Sequence, residues 1–323
     1  MSDSMPKRPS FEKFHYGLRT AKNIERKMMC EIFQRLHVIA PLKTYRYVGF
    51  GSPYFSDFVL FHKRLGLTDM ISIEGNKDKA DRFHFNCPFQ CVDIRIGMST
   101  ELLPDLEWNK RTILWLDYDA PLDNGMLADI STFCRSAVPG SFIAVTVDAQ
   151  PGEEIEDNQT RTQRLEGRIG TMKLPAEMKE RDMAGKWGTA RASRSVIDNQ
   201  IADILRQRSG RFEPEDRIHY RQIFNFQYAD GAEMLTVGGM IYDEPLEPKV
   251  EQCLLDAPKF VRSGEDACLI STPSLTYKEL RHLDAQLPND NLDALDAPGV
   301  PREDVAKYQA IYRYFPTFAE AGL

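Results

Sequence analysis

The chain has 323 residues, enough for one large α/β domain with additions or for two modest domains. Its 42% hydrophobic and 28% charged residues are ordinary for a globular protein. No apolar run approaches the roughly 20 residues that cross a bilayer, and the N-terminal residues lack the apolar segment of a signal peptide. We therefore expect a cytoplasmic protein that does not enter a membrane.

The six cysteines form no Cys-x-x-Cys pair, so the sequence predicts reduced thiols rather than a zinc site. The net charge is −7, but basic residues are concentrated in 1–35 and 158–221 and acidic residues in 243–300. The basic regions are compatible with an anionic substrate, although solvated helix faces would give the same pattern.

Apolar residues recur at helical spacing over 18–36, which predicts a helix with one buried face. Arg19, Lys22 and Arg26 form a basic stripe beside that face. These three residues are candidates for binding the substrate or the carboxylate of a cofactor. The alternative is that the stripe faces solvent.

Residues 45–74 read as a buried strand, a Gly-x-Gly turn, a helix and a second buried strand that ends in a carboxylate. Gly49 and Gly51, followed by Ser52, let backbone N–H groups approach a ligand. Glu74, at the tip of the second strand, can accept both hydrogen bonds of a ribose diol. The unit predicts an adenosine-type cofactor, and S-adenosylmethionine is the working hypothesis.

Five near-continuous apolar strands alternate with helices over 44–148, a pattern typical of a parallel sheet covered on both faces. Residues 218–228 and 233–242 flank an Ala-Asp-Gly-Ala turn, which predicts an antiparallel hairpin. The expected fold is α/β, a doubly wound, mostly parallel, seven-stranded Rossmann-like sheet over 44–242 that ends in this hairpin.

Three segments lie outside the strand pattern. Residues 1–43 are expected to form an N-terminal helical segment, and 243–323 a small, mostly helical C-terminal appendage. The polar insertion at 151–215 follows the fifth strand, where a long excursion serves as a lid, a substrate loop or a mobile insertion.

Polar residues follow the later strands at their carboxyl ends, where ligands bind in sheets of this kind. Met98 and Ser99 follow the third strand, Asp117 and Asp119 the fourth, and Asp148 the fifth. We expect them to converge on the same crevice as the glycine turn. Asp117 and Asp119 are the candidate catalytic residues, since an acceptor must lose a proton during methyl transfer.

The order of strands, a late insertion and a final hairpin resembles the class I S-adenosylmethionine-dependent methyltransferases over 44–242. The segments Leu-Arg-Thr-Ala-Lys-Asn-Ile-Glu-Arg-Lys-Met at 18–28 and Tyr-Val-Gly-Phe-Gly-Ser-Pro-Tyr-Phe-Ser-Asp-Phe at 47–58 also look like a bacterial family labelled putative O-methyltransferases. With Ile-Ser-Ile-Glu at 71–74 and Tyr-Arg-Tyr-Phe-Pro-x-Phe at 312–318, this likeness extends over most of the chain.

The resemblance implies that each strand end contacts a different part of the cofactor. The glycine turn at 49–52 would lie along the methionine part, and Glu74 would hold the ribose hydroxyls. Met98 and Ser99 would border the adenine. Asp117 would lie beside the transferred methyl group.

Two residues depart from the methyltransferase pattern. Tyr47 stands where these enzymes usually carry an acidic residue, two positions before the first glycine, and Pro53 stands where they usually carry a third glycine. Tyr54 likewise interrupts the dinucleotide motif Gly-x-Gly-x-x-Gly. The departures keep open a non-catalytic, Rossmann-like binding partner.

Asp117 and Asp148 also look like the strand-end carboxylates that hold a divalent ion in cation-dependent O-methyltransferases. Ala149 replaces the asparagine that follows the second aspartate in those enzymes. A divalent cation is therefore kept as an option that the sequence does not favour.

The sequence as a whole predicts an S-adenosylmethionine-dependent methyltransferase, with O-directed transfer implied by the resemblance. A small molecule and a nucleotide both remain open as the acceptor, and the oligomeric state is undetermined. The Arg-rich region 158–221 keeps open a nucleic-acid modifying enzyme of the same fold.

Overall fold

The computed structural model describes residues 19–150, 159–175, 177–210 and 217–317. Within these ranges eight strands form one sheet, in the order β3-β2-β1-β4-β5-β7-β6-β8. The strands are β1 (Arg46–Gly49), β2 (Asp69–Glu74), β3 (Val92–Ile96), β4 (Thr112–Pro121), β5 (Phe142–Asp148), β6 (Ile218–Ala229), β7 (Glu233–Asp243) and β8 (Cys268–Ile270). The helices of the described residues are α1 (Thr20–Arg35), α2 (Ser56–Leu65), α3 (Ala80–Phe85), α4 (Ser99–Leu102), α5 (Asn124–Ser136), α6 (Arg161–Ile169), α7 (Gly188–Ser209), α8 (Glu247–Gln252), α9 (Tyr277–Asp284) and α10 (Arg302–Ile311).

The sheet confirms the predicted architecture. Strands β1 to β5 pair in parallel, and β7 is inserted antiparallel between β5 and β6. The structure adds β8, a three-residue strand that pairs in parallel with the outer edge of β6. Three residues are too few to produce an alternating pattern, which is why the sequence indicated seven strands.

Strand β4 shows why the strands are apolar on both sides. Ile113 and Trp115 face one core, while Leu114 and Leu116 face the other. The first core contains buried residues of α1 and α2, and the second contains buried residues of α5 and α7. Helices therefore cover both faces, and the carboxyl ends of β1 to β4 open at one edge.

The segments outside the predicted sheet domain also pack on it. Helix α7, in the predicted insertion, contributes Ile197 and Leu205 to the second core. Phe260 and Ile270, in the predicted appendage, belong to the first core. Residues 1–18 of the predicted N-terminal segment, and 151–158, 176 and 211–216 around the insertion, lie outside the described residues. The division into three segments stays a prediction.

None of the described helices is long and apolar enough to span a bilayer.

Candidate active site

A cavity of about 390 Å³ opens at the carboxyl ends of β1, β2, β3 and β4. Eight of the residues singled out from the sequence line it: Arg26, Gly51, Ser52, Glu74, Met98, Ser99, Asp117 and Asp119. Four others lie outside its lining: Arg19, Lys22, Gly49 and Asp148. The strand ends thus bring most of the predicted residues together.

The turn after β1 has no room for a side chain at its second glycine. A Cβ atom at Gly51 would lie 2.5 Å from the Phe55 ring and 2.7 Å from Ser72 Oγ. Ser52 and Phe55 have left-handed φ angles of 50° and 46°, which non-glycine residues rarely adopt. Such strain persists where the surroundings impose it, often at ligand sites.

Gly49 has a different reason to be a glycine. A Cβ atom there would lie 2.6 Å from Tyr47 Oη, so the missing side chain makes room for the tyrosine. Gly49 therefore allows the Tyr47 side chain to pack beside it and does not itself line the cavity.

A chain of hydrogen bonds links the turn to the tip of β2. Gly51 N donates to Ser72 Oγ at 3.0 Å, and Ser72 Oγ donates to Glu74 Oε1 at 2.7 Å. Glu74 is only 5% exposed. Burial raises the pKa of its carboxyl to about 7, against the opposing effect of hydrogen bonds from Ser72 and from the backbone of Gly51 and Ser52.

Asp57 is a cavity residue that sequence reasoning missed. It lies in the first turn of α2, and its carboxylate accepts a hydrogen bond from Tyr47 Oη. Burial raises the pKa of Asp57, while the charge of Arg26 opposes that rise. Asp57 thus places a carboxyl group beside Tyr47, the residue two positions before the first glycine of the turn. An acidic residue in the first turn of a helix was the available signal.

Arg26 is a buried cation with unused donors. It is 6% exposed, lines the cavity, and its Nε and Nη1 atoms have no hydrogen-bond partner among the described residues. Buried charges are normally paired, because an unpaired one is costly to desolvate. An anion in the cavity would supply the missing partner.

Lys22, on α1, contacts the site residue Asp117 from outside the cavity lining. Its ammonium donates hydrogen bonds to Asp117 Oδ1 at 2.5 Å and Tyr228 Oη at 3.1 Å, and it forms an ion pair with Glu25 Oε2 at 2.8 Å. The side chain is 2% exposed and lies over the Trp115 ring. Lys22 therefore holds Asp117 in place without lining the cavity.

Arg19, one turn earlier, lies at the β6–β7 hairpin. It donates to the Asp230 carbonyl at 2.7 Å and approaches the Asp230 carboxylate at 3.7 Å. With Lys22 and Arg26 buried, the basic stripe of α1 is not a solvent-facing surface.

At the other end of the cavity, two lining residues, Ser99 and Tyr118, bond to a buried acid that lies outside the lining, Asp129. Ser99 Oγ and Tyr118 Oη both donate to Asp129 Oδ2, at 2.5 Å and 2.6 Å. Burial raises the pKa of Asp129. Tyr118 packs edge-to-face on Phe50 at 5.2 Å between ring centroids, and Met98 is 56% exposed beside them. Asp129 lies inside α5, where the sequence gives no sign that it faces a strand end.

The residues present do not fit a divalent ion between Asp117 and Asp148. The Lys22 ammonium already contacts Asp117, and Asp148 lies outside the cavity lining, where its Oδ1 accepts a hydrogen bond from Gln150 N at 2.8 Å. Among the described residues, no group of three or more His, Cys, Asp or Glu side chains could hold a metal ion.

The cavity has an unequal balance of charged groups. Among the described residues, four carboxyl groups line it, those of Asp57, Glu74, Asp117 and Asp119, and one guanidinium, that of Arg26. The Lys22 ammonium pairs with Asp117 from outside the lining. Such a balance suits a ligand with more positive than negative charge, and it disfavours one that carries a pyrophosphate.

Several solved structures are similar to the chain at low identity. The O-methyltransferase from Bacillus cereus in complex with SAH is 13% identical, with 66% of this chain and 80% of that chain covered and a TM-score of 0.36. Trm1 from Pyrococcus horikoshii with S-adenosyl-L-methionine is 11% identical, with coverages of 90% and 76% and a TM-score of 0.44. A putative O-methyltransferase from Klebsiella pneumoniae is 11% identical, with coverages of 74% and 92% and a TM-score of 0.37.

Among curated proteins, no match to the chain is found. The sequence does match a protein family, described as "Putative O-methyltransferase", over residues 14–323. Because the match extends over nearly the whole chain, this protein belongs to that family of methyltransferases.

Proposed function

We propose that the cavity binds S-adenosylmethionine and that the protein transfers its methyl group to a hydroxyl oxygen. The charge balance of the cavity carries the proposal. S-adenosylmethionine has one carboxylate, one ammonium and one sulfonium group, so it presents more positive than negative charge. Arg26 can pair with the carboxylate, and Asp57 and Asp117 can complement the two cations.

The remaining contacts follow from the strand ends. Ionised Glu74 would accept hydrogen bonds from both ribose hydroxyls. The rings of Phe50 and Tyr118, with Met98, would border the adenine. The N–H groups of the Gly51 turn would lie along the methionine part of the ligand.

In methyl transfer from a sulfonium, the main role of the protein is to hold the acceptor oxygen in line with the methyl carbon and the sulfur. The C–S bond breaks as the new O–C bond forms, and the acceptor hydroxyl loses its proton. Asp117 is held by Lys22 on one oxygen and would stabilise the sulfonium beside the methyl group. Asp119 is exposed at the rim and has no hydrogen-bond partner among the described residues, so it is the candidate to receive the proton. The acceptor is a small molecule or a nucleotide.

Calorimetry with S-adenosylhomocysteine and 5′-methylthioadenosine tests the cofactor assignment. The second compound keeps the adenosine but lacks the amino acid carboxylate. We expect wild-type protein to bind both and the homocysteine compound more tightly. Arg26→Met should weaken S-adenosylhomocysteine by about 10- to 100-fold, the usual worth of a charge-assisted hydrogen bond, and leave methylthioadenosine unchanged. Folded wild-type protein that binds neither compound would refute the proposal.

Radiolabelled S-adenosylmethionine tests the reaction. Incubation with separated small-molecule and nucleic-acid fractions should label one of them, and Asp117→Asn should abolish the labelling. Alkali-stable label on a nitrogen would contradict oxygen-directed transfer while leaving the cofactor assignment intact.

A further inference from the structure

A basic groove lies on the outer side of α1 and α2, away from the active-site cavity. We define it by Lys27 and Arg35 on α1, Arg64 on α2 and Arg313 after α10. Its volume is about 950 Å³. The four cations come from three elements that are distant in sequence, so the groove is not one helix's solvated face.

Among the residues that the structure describes, one carboxylate lines the basic groove, and it is already shared. Glu31 accepts a hydrogen bond from Tyr314 Oη at 2.6 Å, and Arg313 and Arg35 approach it at 3.4 Å and 3.6 Å. Within the described part of the chain, four cations of the groove therefore share a single counter-charge in its lining, in a chain whose net charge is −7.

Apart from the contacts of Arg313 and Arg35 with Glu31, the cations of the groove have only neutral hydrogen-bond partners or none among the described residues. Lys27 Nζ donates to the Phe315 carbonyl at 3.2 Å, and Arg35 Nη1 donates to the Leu254 carbonyl at 3.1 Å. Arg35 Nε is buried without a hydrogen-bond partner in the described part of the chain. Burial and the nearby charge of Arg64 both lower the pKa of Lys27. An anion between these side chains would relieve their repulsion.

The geometry points to a binding site for a phosphate ester in the basic groove. A phosphate group offers several oxygens at once, which lets one group accept hydrogen bonds from guanidinium forks on different elements. The groove is larger than a free phosphate ion needs, and Leu42 and Leu60 in its lining can contact the organic part of such a ligand. A free nucleotide and a polynucleotide chain both carry such a phosphate ester, and their binding can be compared directly.

The basic groove and the active-site cavity share the α1–α2 layer. Arg26 lines the cavity and its neighbour Lys27 lines the groove, while Asp57 lines the cavity and Leu60, one turn further along α2, lines the groove. The two sites are separate, however, and the phosphate-ester site does not rest on the proposed methyl transfer.

Uridine compounds test the basic groove, because the active-site cavity is expected to select adenosine. Binding of uridine diphosphate is measured by calorimetry, and binding of fluorescent single-stranded oligouridylate by anisotropy, at low and moderate salt. We expect Arg64→Gln combined with Lys27→Met to weaken binding at least about tenfold and to reduce the salt dependence, since two phosphate contacts are lost. Lys63→Gln is the matched control: it removes a neighbouring exposed charge of α2 that does not line the groove.

The two probes identify the source of the phosphate. Equal affinity for both would indicate a free nucleotide, and much tighter binding of oligouridylate would indicate a polynucleotide. The proposal is overturned if neither probe binds, or if Lys63→Gln weakens binding as much as the Arg64→Gln, Lys27→Met double variant does. Thermal unfolding of each variant verifies that it is folded, and S-adenosylhomocysteine binding is scored separately, so that one proposal can fail without the other.

Discussion

Glu74, in the proposed cofactor site, makes the stability of the folded protein depend on pH. Its carboxyl is buried, and its pKa of about 7 lies above the ordinary 4.5. Below both values the folded and unfolded chains are equally protonated. As the pH rises from 4.5 to about 7, the unfolded chain releases a proton that the folded chain keeps, so the folded state loses stability. Above pH 7, the full pKa shift of Glu74 lowers the free energy of unfolding by roughly 3 kcal/mol relative to low pH.

Glu74→Gln should therefore stabilise the ligand-free protein increasingly as the pH rises. We expect its advantage over wild type in urea unfolding to grow by roughly 2 kcal/mol between about pH 5.5 and about pH 8. The same variant should bind S-adenosylhomocysteine more weakly, because an amide cannot accept both ribose hydrogen bonds. A stability difference that does not vary with pH would contradict the raised pKa.

Two glycines of the same cavity provide a matched test of the turn. A Cβ atom at Gly51 would collide with Phe55 and Ser72, whereas one at Gly75 would make an ordinary 3.5 Å contact with Met98 Sδ. Gly51→Ala should reduce S-adenosylhomocysteine affinity by more than about tenfold, since the turn must move to admit the methyl group. Gly75→Ala should keep near wild-type affinity. Equal effects of the two substitutions in calorimetry would contradict a specific role for the turn.

Strand-end position explains which cavity residues could be predicted. Glu74 and Ser99 follow apolar runs, and the carboxyl ends of parallel strands lie at one edge, so their proximity was foreseeable. Asp57, in the cavity lining, and Asp129, outside it, lie within helices, where the sequence identifies a face but not the strand end it approaches. Their tyrosine and serine partners belong to other elements, and only packing brings them together.

At the level of elements, α1 is attached to the sheet by charge as well as by its apolar face. Lys22 is the link, because it joins Glu25 of its own helix to Asp117 of β4. Helical spacing predicted the apolar face of α1 but left the basic stripe undecided between a site and solvent. Whether this ammonium is buried depends on the carboxylate of Asp117, 95 residues away in sequence, which helical periodicity cannot indicate.

Lys22→Met should destabilise the protein by about 3–5 kcal/mol, because Glu25 and Asp117 lose their counter-charge. Adding Glu25→Gln should recover part of that loss in urea unfolding, since one buried carboxylate is removed. Lys27→Met, at a half-buried lysine of the same helix whose partner is a carbonyl, is the control and should change the free energy of unfolding by less than about 1 kcal/mol. Equal losses from the two lysine substitutions would argue against the ion pair as the anchor of α1.

Other elements show where local patterns fail. Apolar residues recur at helical spacing only over 195–205 of the insertion, but helix α7 runs over Gly188–Ser209. Strand β4 continues to Pro121, so Asp117 and Asp119 lie within a strand that outlasts its apolar run. In both cases pairing or packing with a neighbour extends the element beyond what its own residues favour.

At the scale of the whole molecule, the C-terminal region that begins at residue 243 either unfolds together with the sheet or unfolds as a separate unit. Strand β8 pairs with β6, and Tyr314, after α10, bonds to Glu31 of α1. Phe260 and Ile270 are part of the core that contains α1 and α2. A smaller cluster around Leu283, Val305 and Tyr308 packs within the region itself. The shared core leads us to infer that the region unfolds together with the sheet, although its composition alone suggested an appendage.

Two neighbouring residues of β8 test this inference. Ile270 is 2% exposed and Leu269 is 55% exposed. Ile270→Asp places a charge in the shared core and should lower the stability of the whole chain by roughly 2–4 kcal/mol, in a single transition followed by circular dichroism. Leu269→Asp changes the same strand on its open face and should have little effect. If Ile270→Asp instead produces a separate early transition with part of the helical signal, the C-terminal region folds as an independent unit, because loss of the β8 contacts would then leave the sheet intact.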